Sequence, residues 1–144
     1  MTIAAKLTCL NCGQINRVPV AKIEAGPKCA KCGSALLSGL VTELDVRLHD
    51  KASDHDEIPI IIDYWAPWCG PCRTMAPEFS KAAATLKTKA RFAKIDTEQH
   101  PELSQRLGIR GIPLLILYSG GREVARLPGA RPAADIEAFV LQNT

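Results

Sequence analysis

Residues 58–72 read IPIIIDYWAPWCGPC and are the most informative part of the chain. The first nine of these residues are almost continuously apolar, which is typical of a strand buried on both faces of a sheet. The Cys69-Gly-Pro-Cys72 that follows opens a helical pattern over Gly70–Lys87, in which Pro77 is expected to produce a kink. A buried strand that leads directly into a helix indicates an α/β domain.

The remainder of residues 39–144 alternates short apolar runs with helical patterns, as an α/β domain requires. The turn Ser119-Gly-Gly121 joins the last two apolar runs into a hairpin. The predicted order β-α-β-α-β-α-β-β-α describes a mixed central sheet flanked by helices. The other predicted strands are Leu40–Leu44, Ala90–Ile95, Leu114–Tyr118 and Glu123–Leu127, and the other predicted helices are Asp45–Ser53, Pro101–Leu107 and one that contains Asp135–Leu141.

The amino-terminal region holds two further cysteine pairs, Cys9-x2-Cys12 and Cys29-x2-Cys32, with 16 residues between them. This spacing is typical of a four-cysteine zinc site, because each pair forms a tight turn that directs two sulfurs at one ion. With all four ligands supplied by protein, the zinc would be structural. The alternative is two disulfides. Residues 1–38 are too few to fold unaided, so we predict a zinc-binding module over 1–38, a connector at 34–39 and a second domain over 39–144.

The third pair, Cys69 and Cys72, begins a helix, where the helix dipole and free N–H groups stabilise a thiolate. This placement predicts dithiol–disulfide exchange. The alternative, half of a second metal site, lacks another ligand pair in the same domain. Asp63 lies within the apolar run IPIIIDYWA, so burial should raise its pKa; the alternative is an exposed aspartate on an edge strand. His49, His55 and His100 lie in polar stretches and are predicted to be surface residues.

The sequence Asp63-Tyr-Trp-Ala-Pro-Trp-Cys-Gly-Pro-Cys72, with Gly111-Ile-Pro113 downstream, closely resembles the thioredoxin family over about residues 40–144. Together with the two amino-terminal cysteine pairs, the whole chain resembles the zinc-binding bacterial members of that family. The resemblance implies a thioredoxin fold preceded by a zinc-ribbon-like module. Two positions depart from the family pattern: Leu114 follows Pro113 where threonine is usual, and Tyr64 stands where phenylalanine is common.

The resemblance also implies roles for individual residues. Cys69 would be the exposed attacking thiol, Cys72 the buried resolving thiol, and Asp63 a proton acceptor for Cys72, while Pro113 would follow a cis peptide bond that faces them. Lys94 matches a lysine near the buried aspartate, or is a solvated charge at a strand end. A shallow surface that receives partner polypeptides would be formed by Trp68, Gly70, Pro71, Ile112, Gly129 and Ala130.

The expected function is protein-disulfide reduction, recharged by a thioredoxin reductase that uses NADPH, with one zinc ion and no bound organic cofactor. An oxidase or isomerase is disfavoured because Gly70-Pro71 supplies no imidazole to stabilise the thiolate further. The third possibility is a zinc ribbon that contacts proteins or senses oxidants. The net charge is only +3 and residues 1–38 contain no aromatic side chain, so nucleic acid is not expected. No long apolar run or secretory signal is visible, and we expect a cytoplasmic monomer without membrane contact.

Overall fold

The computed structural model describes residues 3–144 and contains two separate sheets. The first is a two-stranded antiparallel sheet of β1 (Ala4–Thr8) and β2 (Ile15–Pro19), followed by a short 3-10 helix at Val20–Ala25. The sequence pattern does not predict these strands. They are five residues each, and the polar residues Thr8 and Asn16 occupy buried positions in them, so their apolar pattern is weak.

The second sheet has five strands in the order β3-β5-β4-β6-β7. Strands β3, β4 and β5 are parallel, while β6 and β7 are antiparallel to their neighbours. All the predicted elements of this domain form in the predicted order, so the α/β architecture is confirmed. Its strands are β3 Val41–Glu43, β4 Ile60–Trp65, β5 Arg91–Asp96, β6 Leu114–Ser119 and β7 Arg122–Pro128, and its helices are α1 Val46–His55, α2 Gly70–Thr85, α3 Pro101–Leu107 and α4 Ala133–Gln142.

Local sequence explains where several of these elements begin and end. The Asp45 side chain accepts a hydrogen bond from the Leu48 N–H at 2.8 Å and thereby caps α1. Helix α2 continues through Pro77 without interruption. The β6–β7 turn needs glycine at residue 121, where φ is +81° and a Cβ atom would lie 2.5 Å from the Asp54 carbonyl oxygen.

The central strand β4 is covered on both faces, as its continuous apolar sequence predicts. Ile60, Ile62 and Tyr64 face one cluster, which also includes Leu48 of α1 and Leu103 of α3. The other cluster contains Ile61, Phe79 of α2, Phe92 of β5 and Ile136 of α4. The two phenylalanine rings lie 4.9 Å apart between centroids.

The prediction that His49 lies on the surface is wrong. His49 is only 2% exposed, and its Nε2 atom lies 2.7 Å from the Tyr64 hydroxyl, which in turn lies 2.7 Å from the Tyr118 hydroxyl. The buried side of α1 includes residues 48, 49, 52 and 53, so helical phase overrides the polar composition of the segment. His55 is exposed and His100 is half-buried. The Tyr64 hydroxyl, which phenylalanine would lack, is hydrogen-bonded to His49 and Tyr118 inside the core.

The first sheet, together with the loops that carry its cysteines, packs against the starting ends of β4 and β5. The Glu57 N–H donates to the Lys6 carbonyl at 2.9 Å, and the Lys6 N–H donates to the Glu57 side-chain Oε1 at 2.8 Å. The Thr8 N–H donates to Asp56 Oδ1 at 2.8 Å. Arg91 forms a buried ion pair with Asp56 and donates to the Thr8 carbonyl at 2.7 Å. A small core at this junction contains the buried residues Ala5, Leu7, Cys9, Val18, Cys29, Leu36, Leu37 and Ile58.

The predicted connector at residues 34–39 is therefore not a free linker. Leu36 and Leu37 are each 3% exposed, and the Leu36 carbonyl accepts a hydrogen bond from Arg91 at 3.3 Å. Within the described residues, no helix is both long and apolar enough to cross a membrane.

Candidate redox and metal sites

Cys69 and Cys72 lie where β4 ends and α2 begins, and the structure joins them in a disulfide. Cys69 is the capping residue of α2, and its sulfur accepts the Cys72 N–H at 3.2 Å. The positive end of the helix dipole therefore meets the sulfur of Cys69, which favours its thiolate once the pair is reduced. Cys69 is 4% exposed in this oxidised form, so the expectation of an exposed thiol is not met here.

The loop before β6 approaches this pair from the opposite side. The Ile112–Pro113 peptide bond is cis, as the resemblance implied, and the Cys69 sulfur lies 3.8 Å from the Ile112 carbonyl oxygen. The Pro113 carbonyl accepts the Gly129 N–H at 3.0 Å, which ties this loop to the end of β7. Ile112 and Pro113 are thereby held against the disulfide.

Two shallow hollows flank Ile112 on the surface. The first, of about 410 Å³, contains Trp68, Cys69, Gly70 and Pro71 along one wall. The second, of about 500 Å³, runs from Pro113 to Gly129. Five of the six residues predicted to receive partner polypeptides therefore line these hollows. Ala130 is exposed beside Gly129 but lines neither hollow.

Asp63 is buried on the central strand β4, not exposed on an edge. It is 3% exposed, and its Oδ1 atom has no hydrogen-bond partner among the described residues. Desolvation raises the pKa of Asp63 to about 7, although the positive charge of Lys94 opposes the shift. A cavity of about 270 Å³, which opens to the surface beside the exposed residues Arg73 and Ala76, is lined by both Asp63 and Cys72. This space is large enough to admit water between them.

Lys94 is the register partner of Asp63 on strand β5. Its ammonium lies 4.8 Å from the centre of the Trp65 ring, and it lines the same cavity as Asp63. The Trp65 indole N–H donates to Glu43 at 3.2 Å. Lys94 is therefore near the buried aspartate. Trp65 and Glu43 were not predicted as part of this site, because neither pattern nor spacing indicates which strand ends meet.

The four amino-terminal cysteines converge on one point, with all four sulfurs within 4.8 Å of one another. The Cys9 and Cys32 sulfurs are 3.5 Å apart and those of Cys12 and Cys29 are 3.6 Å apart. Zinc bound to thiolates at about 2.3 Å in a tetrahedron requires sulfurs roughly 3.8 Å apart, so this donor set fits zinc. Hydrogen bonding to Ser34 lowers the pKa of Cys32 to about 5, which favours its thiolate form.

The two cysteine sites lie at opposite ends of the five-stranded sheet. The cysteine cluster follows Thr8, which contacts Asp56 and Arg91 where β4 and β5 begin. The disulfide follows the last residue of β4. Six strand residues span roughly 17 Å, so the sulfurs of the four-cysteine cluster and the redox sulfurs do not share a surface.

A disulfide that caps a helix, next to a cis-proline loop and a buried aspartate, places the molecule among thiol–disulfide exchange proteins. Residues 41–142 match the family model described as Thioredoxin, and residues 8–34 match the model described as Thioredoxin 2, N-terminal, a zinc ribbon. The chain belongs to the thioredoxin family and is a thiol–disulfide oxidoreductase. Its four-cysteine cluster is a possible zinc site.

Individual relatives support this assignment. The chain is 39% identical to Thioredoxin C-3 of Corynebacterium nephridii over 137 residues, which covers 95% of this chain and 94% of the relative. It is 44% identical to a thioredoxin of Alicyclobacillus acidocaldarius over 80 residues, covering 56% and 76% of the two chains. The structure of chloroplastic thioredoxin z superposes with a TM-score of 0.67 at 29% identity, over 72% of this chain and 93% of that chain. Malassezia sympodialis thioredoxin gives a TM-score of 0.66 at 27% identity, over 74% and 92%.

Proposed function

We propose that this protein reduces the disulfides of client proteins through Cys69 and Cys72 and is recharged by a thioredoxin reductase. The observation that carries this proposal is the disulfide at the start of α2, with Cys69 at the helix cap beside two open hollows. A reducing role is favoured over an oxidising one because the intervening residues, Gly70 and Pro71, offer no imidazole that would further stabilise the Cys69 thiolate.

The reaction begins with the reduced pair. The Cys69 thiolate attacks one sulfur of the client disulfide, so that a mixed disulfide forms and the second client sulfur leaves as a thiolate. Cys72 then loses its proton and attacks the Cys69 sulfur, which releases the first client sulfur. The client gains two electrons and two protons as a dithiol, and Cys69 and Cys72 become a disulfide. A reductase that draws on NADPH would restore the dithiol.

Asp63 is proposed as the acceptor of the Cys72 proton. Its pKa of about 7 makes the carboxyl group able to take up and release a proton near neutral pH. The cavity that both residues line supports transfer through water rather than by direct contact. Lys94 and Trp65 form the wall of this cavity, and the charge of Lys94 limits how far the pKa of Asp63 rises.

We further propose one structural zinc ion held by Cys9, Cys12, Cys29 and Cys32, with no bound organic cofactor. Zinc would supply the binding free energy that keeps a small module folded, on the order of 10–16 kcal/mol in isolated zinc peptides. Four protein ligands leave no position for water or substrate, so the ion would take no part in exchange. A cytoplasmic, monomeric protein remains our prediction.

The second candidate function belongs to the predicted zinc-ribbon-like module of residues 1–38, the ribbon. In this role the ribbon contacts other proteins or responds to oxidants, and disulfide exchange is an additional activity. The position of the ribbon supports this second function. The ribbon lies about one strand length from the redox pair and does not cover the hollows beside Cys69. We expect this function to be separable from disulfide reduction.

The decisive experiment is reduction of insulin disulfides with NADPH and a thioredoxin reductase. We expect the full chain to turn over and a chain that starts near Ser38 to retain chemical activity. Loss of all insulin reduction in a correctly folded full-length protein would contradict the proposed function. If the shorter chain still reduces disulfides but acts on a different set of client proteins, this result would favour the second candidate function, in which the ribbon contacts other proteins.

A further inference from the structure

We propose that this protein prefers client disulfides flanked by acidic side chains, and that Arg110 is the main residue that selects them. This inference rests on the proposed reduction of client disulfides. It concerns which clients are attacked fastest, not whether exchange occurs. It follows from the charges that surround the two hollows beside Cys69.

Arg110 occupies the ridge between the two hollows and lines both of them. Its side chain is exposed, and within residues 3–144 it forms neither a hydrogen bond nor an ion pair. Ile112, whose carbonyl contacts the Cys69 sulfur, is two residues further along the same loop. A polypeptide that brings its disulfide to Cys69 must therefore pass close to this guanidinium.

Two more arginines line neither hollow but bind carbonyls beside them, at Pro67 next to Trp68 and at Pro128, and also lack a carboxylate partner among the described residues. Arg73 donates to the Pro67 carbonyl at 2.7 Å, and Arg131 donates to the Pro128 carbonyl at 3.2 Å. These bonds to backbone oxygen fix the two side chains but leave their charges uncompensated.

Arg126 provides the contrast. It lines the second hollow, but Glu123 binds it through both carboxylate oxygens, at 2.6 and 3.0 Å. Its charge is thereby neutralised. None of the described residues that line either hollow is an aspartate or glutamate. The surface that receives the client is therefore positive, although the net charge of the whole chain is only +3.

A guanidinium offers a planar pair of donors that matches a carboxylate. Because Arg110 is exposed, each new ion pair should be weak, and its effect should fall mainly on the rate of association. A client with lysines beside its disulfide meets like charge and should associate more slowly. Salt should weaken both effects, since exposed charges are screened.

The test uses three synthetic peptides with one internal disulfide each, which differ only in having glutamate, glutamine or lysine next to both cysteines. Prereduced full-length protein is mixed with each peptide in single turnover, and no reductase is needed. Each rate constant is divided by the rate constant with dithiothreitol, which removes the intrinsic effect of the flanking charge on the disulfide. We expect the glutamate peptide to be preferred over the lysine peptide by about 3- to 10-fold at low salt.

The preference is the ratio of the corrected rate constant for the glutamate peptide to that for the lysine peptide. This ratio should approach 1 in 1 M salt, fall at least by half in Arg110→Gln, and drop below 1 in Arg110→Glu. Arg122→Gln is the matched control, because Arg122 is an exposed arginine at the opposite end of the sheet and its loss changes the net charge equally. Equal rates for the three peptides, or an unchanged preference in Arg110→Gln, would overturn the inference and leave the proposed function intact. Failure to reduce any of the three peptides would overturn both.

Discussion

Two sulfurs three positions apart have different surroundings in this protein. Cys69 lines the hollow that contains Trp68, while Cys72 lines the separate cavity that contains Asp63. The Cys72 N–H donates to the Cys69 sulfur, so the helix itself stabilises one thiolate and not the other. A division of labour between attack and resolution follows from these surroundings.

The first prediction tests that division. Cys69→Ser should abolish exchange because no attacking thiolate remains, whereas Cys72→Ser should still attack clients and accumulate mixed disulfides. The measurement is trapping of a client disulfide, followed by mass spectrometry. Wild-type turnover in Cys72→Ser would show that the assignment is wrong, and a Cys69→Ser protein that traps clients through Cys72 would reverse it.

The second prediction concerns Asp63. Burial raises the pKa of Asp63 from its usual 3.8 to about 7, so ionisation of this carboxyl group opposes folding. The free energy of unfolding of the wild-type protein therefore falls as pH rises from about 4, and the decrease is complete above about 7. Asp63→Asn should slow resolution at neutral pH and raise the free energy of unfolding by up to about 4 kcal/mol there, and by almost nothing in acid.

Denaturant unfolding of wild type and Asp63→Asn across pH 4–9 measures the stability difference, and decay of a preformed mixed disulfide measures resolution. The expected gain grows with pH and then levels off. A mutant that is clearly less stable than wild type at pH 7 would contradict burial of an unpaired carboxyl group. Unchanged resolution would instead remove Asp63 from the proton pathway.

Three elements are joined inside the core by a chain of polar groups. His49 on α1 contacts Tyr64 on β4, and Tyr64 contacts Tyr118 on β6. The other ring nitrogen of His49 lies 2.9 Å from Asp50, which is bound in turn by Arg106 of α3 at 2.9 Å. Buried polar groups of this kind are tolerated because each has a partner, and removal of one leaves another unpaired.

The third prediction follows from this chain. Tyr64→Phe should lower the free energy of unfolding by about 1–3 kcal/mol, since His49 and Tyr118 lose a buried partner. The combination of Tyr64→Phe, His49→Leu and Tyr118→Phe should recover most of that loss. Burial lowers the pKa of His49 below 6.5, so the wild-type protein should also lose stability as pH falls below that value.

Thermal unfolding of the single and triple variants at pH 7 and pH 5 measures these effects. The triple variant should also have a flatter pH dependence, because the buried imidazole is gone. A Tyr64→Phe protein as stable as wild type would show that the hydroxyl contacts contribute nothing. A triple variant less stable than the single one would show that shape, not hydrogen bonding, dominates at this site.

The ribbon and the five-stranded sheet meet through Arg91 and Asp56. Arg91 is 5% exposed and binds the Thr8 and Leu36 carbonyls as well as Asp56. The ribbon therefore supplies polar partners to charges buried at the end of the sheet. Division of the chain into modules of residues 1–38 and 39–144 remains a prediction, but this interface implies that the two share stability.

The fourth prediction is the result of metal removal. Chelation, or Cys29→Ser, should unfold the ribbon yet leave residues 39–144 folded and able to reduce a small disulfide, because the redox pair lies at the other end of the sheet. The free energy of unfolding of residues 39–144 should nevertheless fall by roughly 2–3 kcal/mol, since Arg91 and Asp56 lose hydrogen bonds to charged groups. One zinc per chain is expected by metal analysis of the untreated protein.

A matched control carries Asp56→Leu together with Arg91→Met, which removes both buried charges. In this variant, zinc loss should change the stability of residues 39–144 much less. Loss of small-disulfide reduction on chelation would contradict a structural role for the ion. Identical unfolding of residues 39–144 with and without zinc would contradict the shared interface.

The sequence alone was sufficient for the α/β order, the redox pair and the four-cysteine cluster, because each depends on local periodicity or spacing. The run IPIIIDYWA indicates a strand that is buried on both faces of the sheet. Each pair of cysteines separated by two residues forms its own turn, which directs both sulfurs at one point. Burial of Asp63 could be predicted for the same reason, since an apolar run offers a carboxylate no polar surroundings. Side chains that meet across distant segments could not be predicted.

The prediction that His49 is exposed is wrong because it rests on the polar composition of the segment that forms α1. The orientation of His49 on the helix and its hydrogen bond with the Tyr64 hydroxyl determine its burial instead. Leu36 and Leu37 lie in the predicted connector at 34–39, and their burial could not be predicted because the other members of their cluster, such as Leu7 and Ile58, come from other segments. The sequence does not predict Arg91 as an interface residue, because the carbonyl groups that it binds lie 55 and 83 residues away along the chain. The contacts of Leu36, Leu37 and Arg91 depend on how the ribbon docks on the sheet, and that of His49 depends on how α1 packs on β4. No local pattern encodes either arrangement.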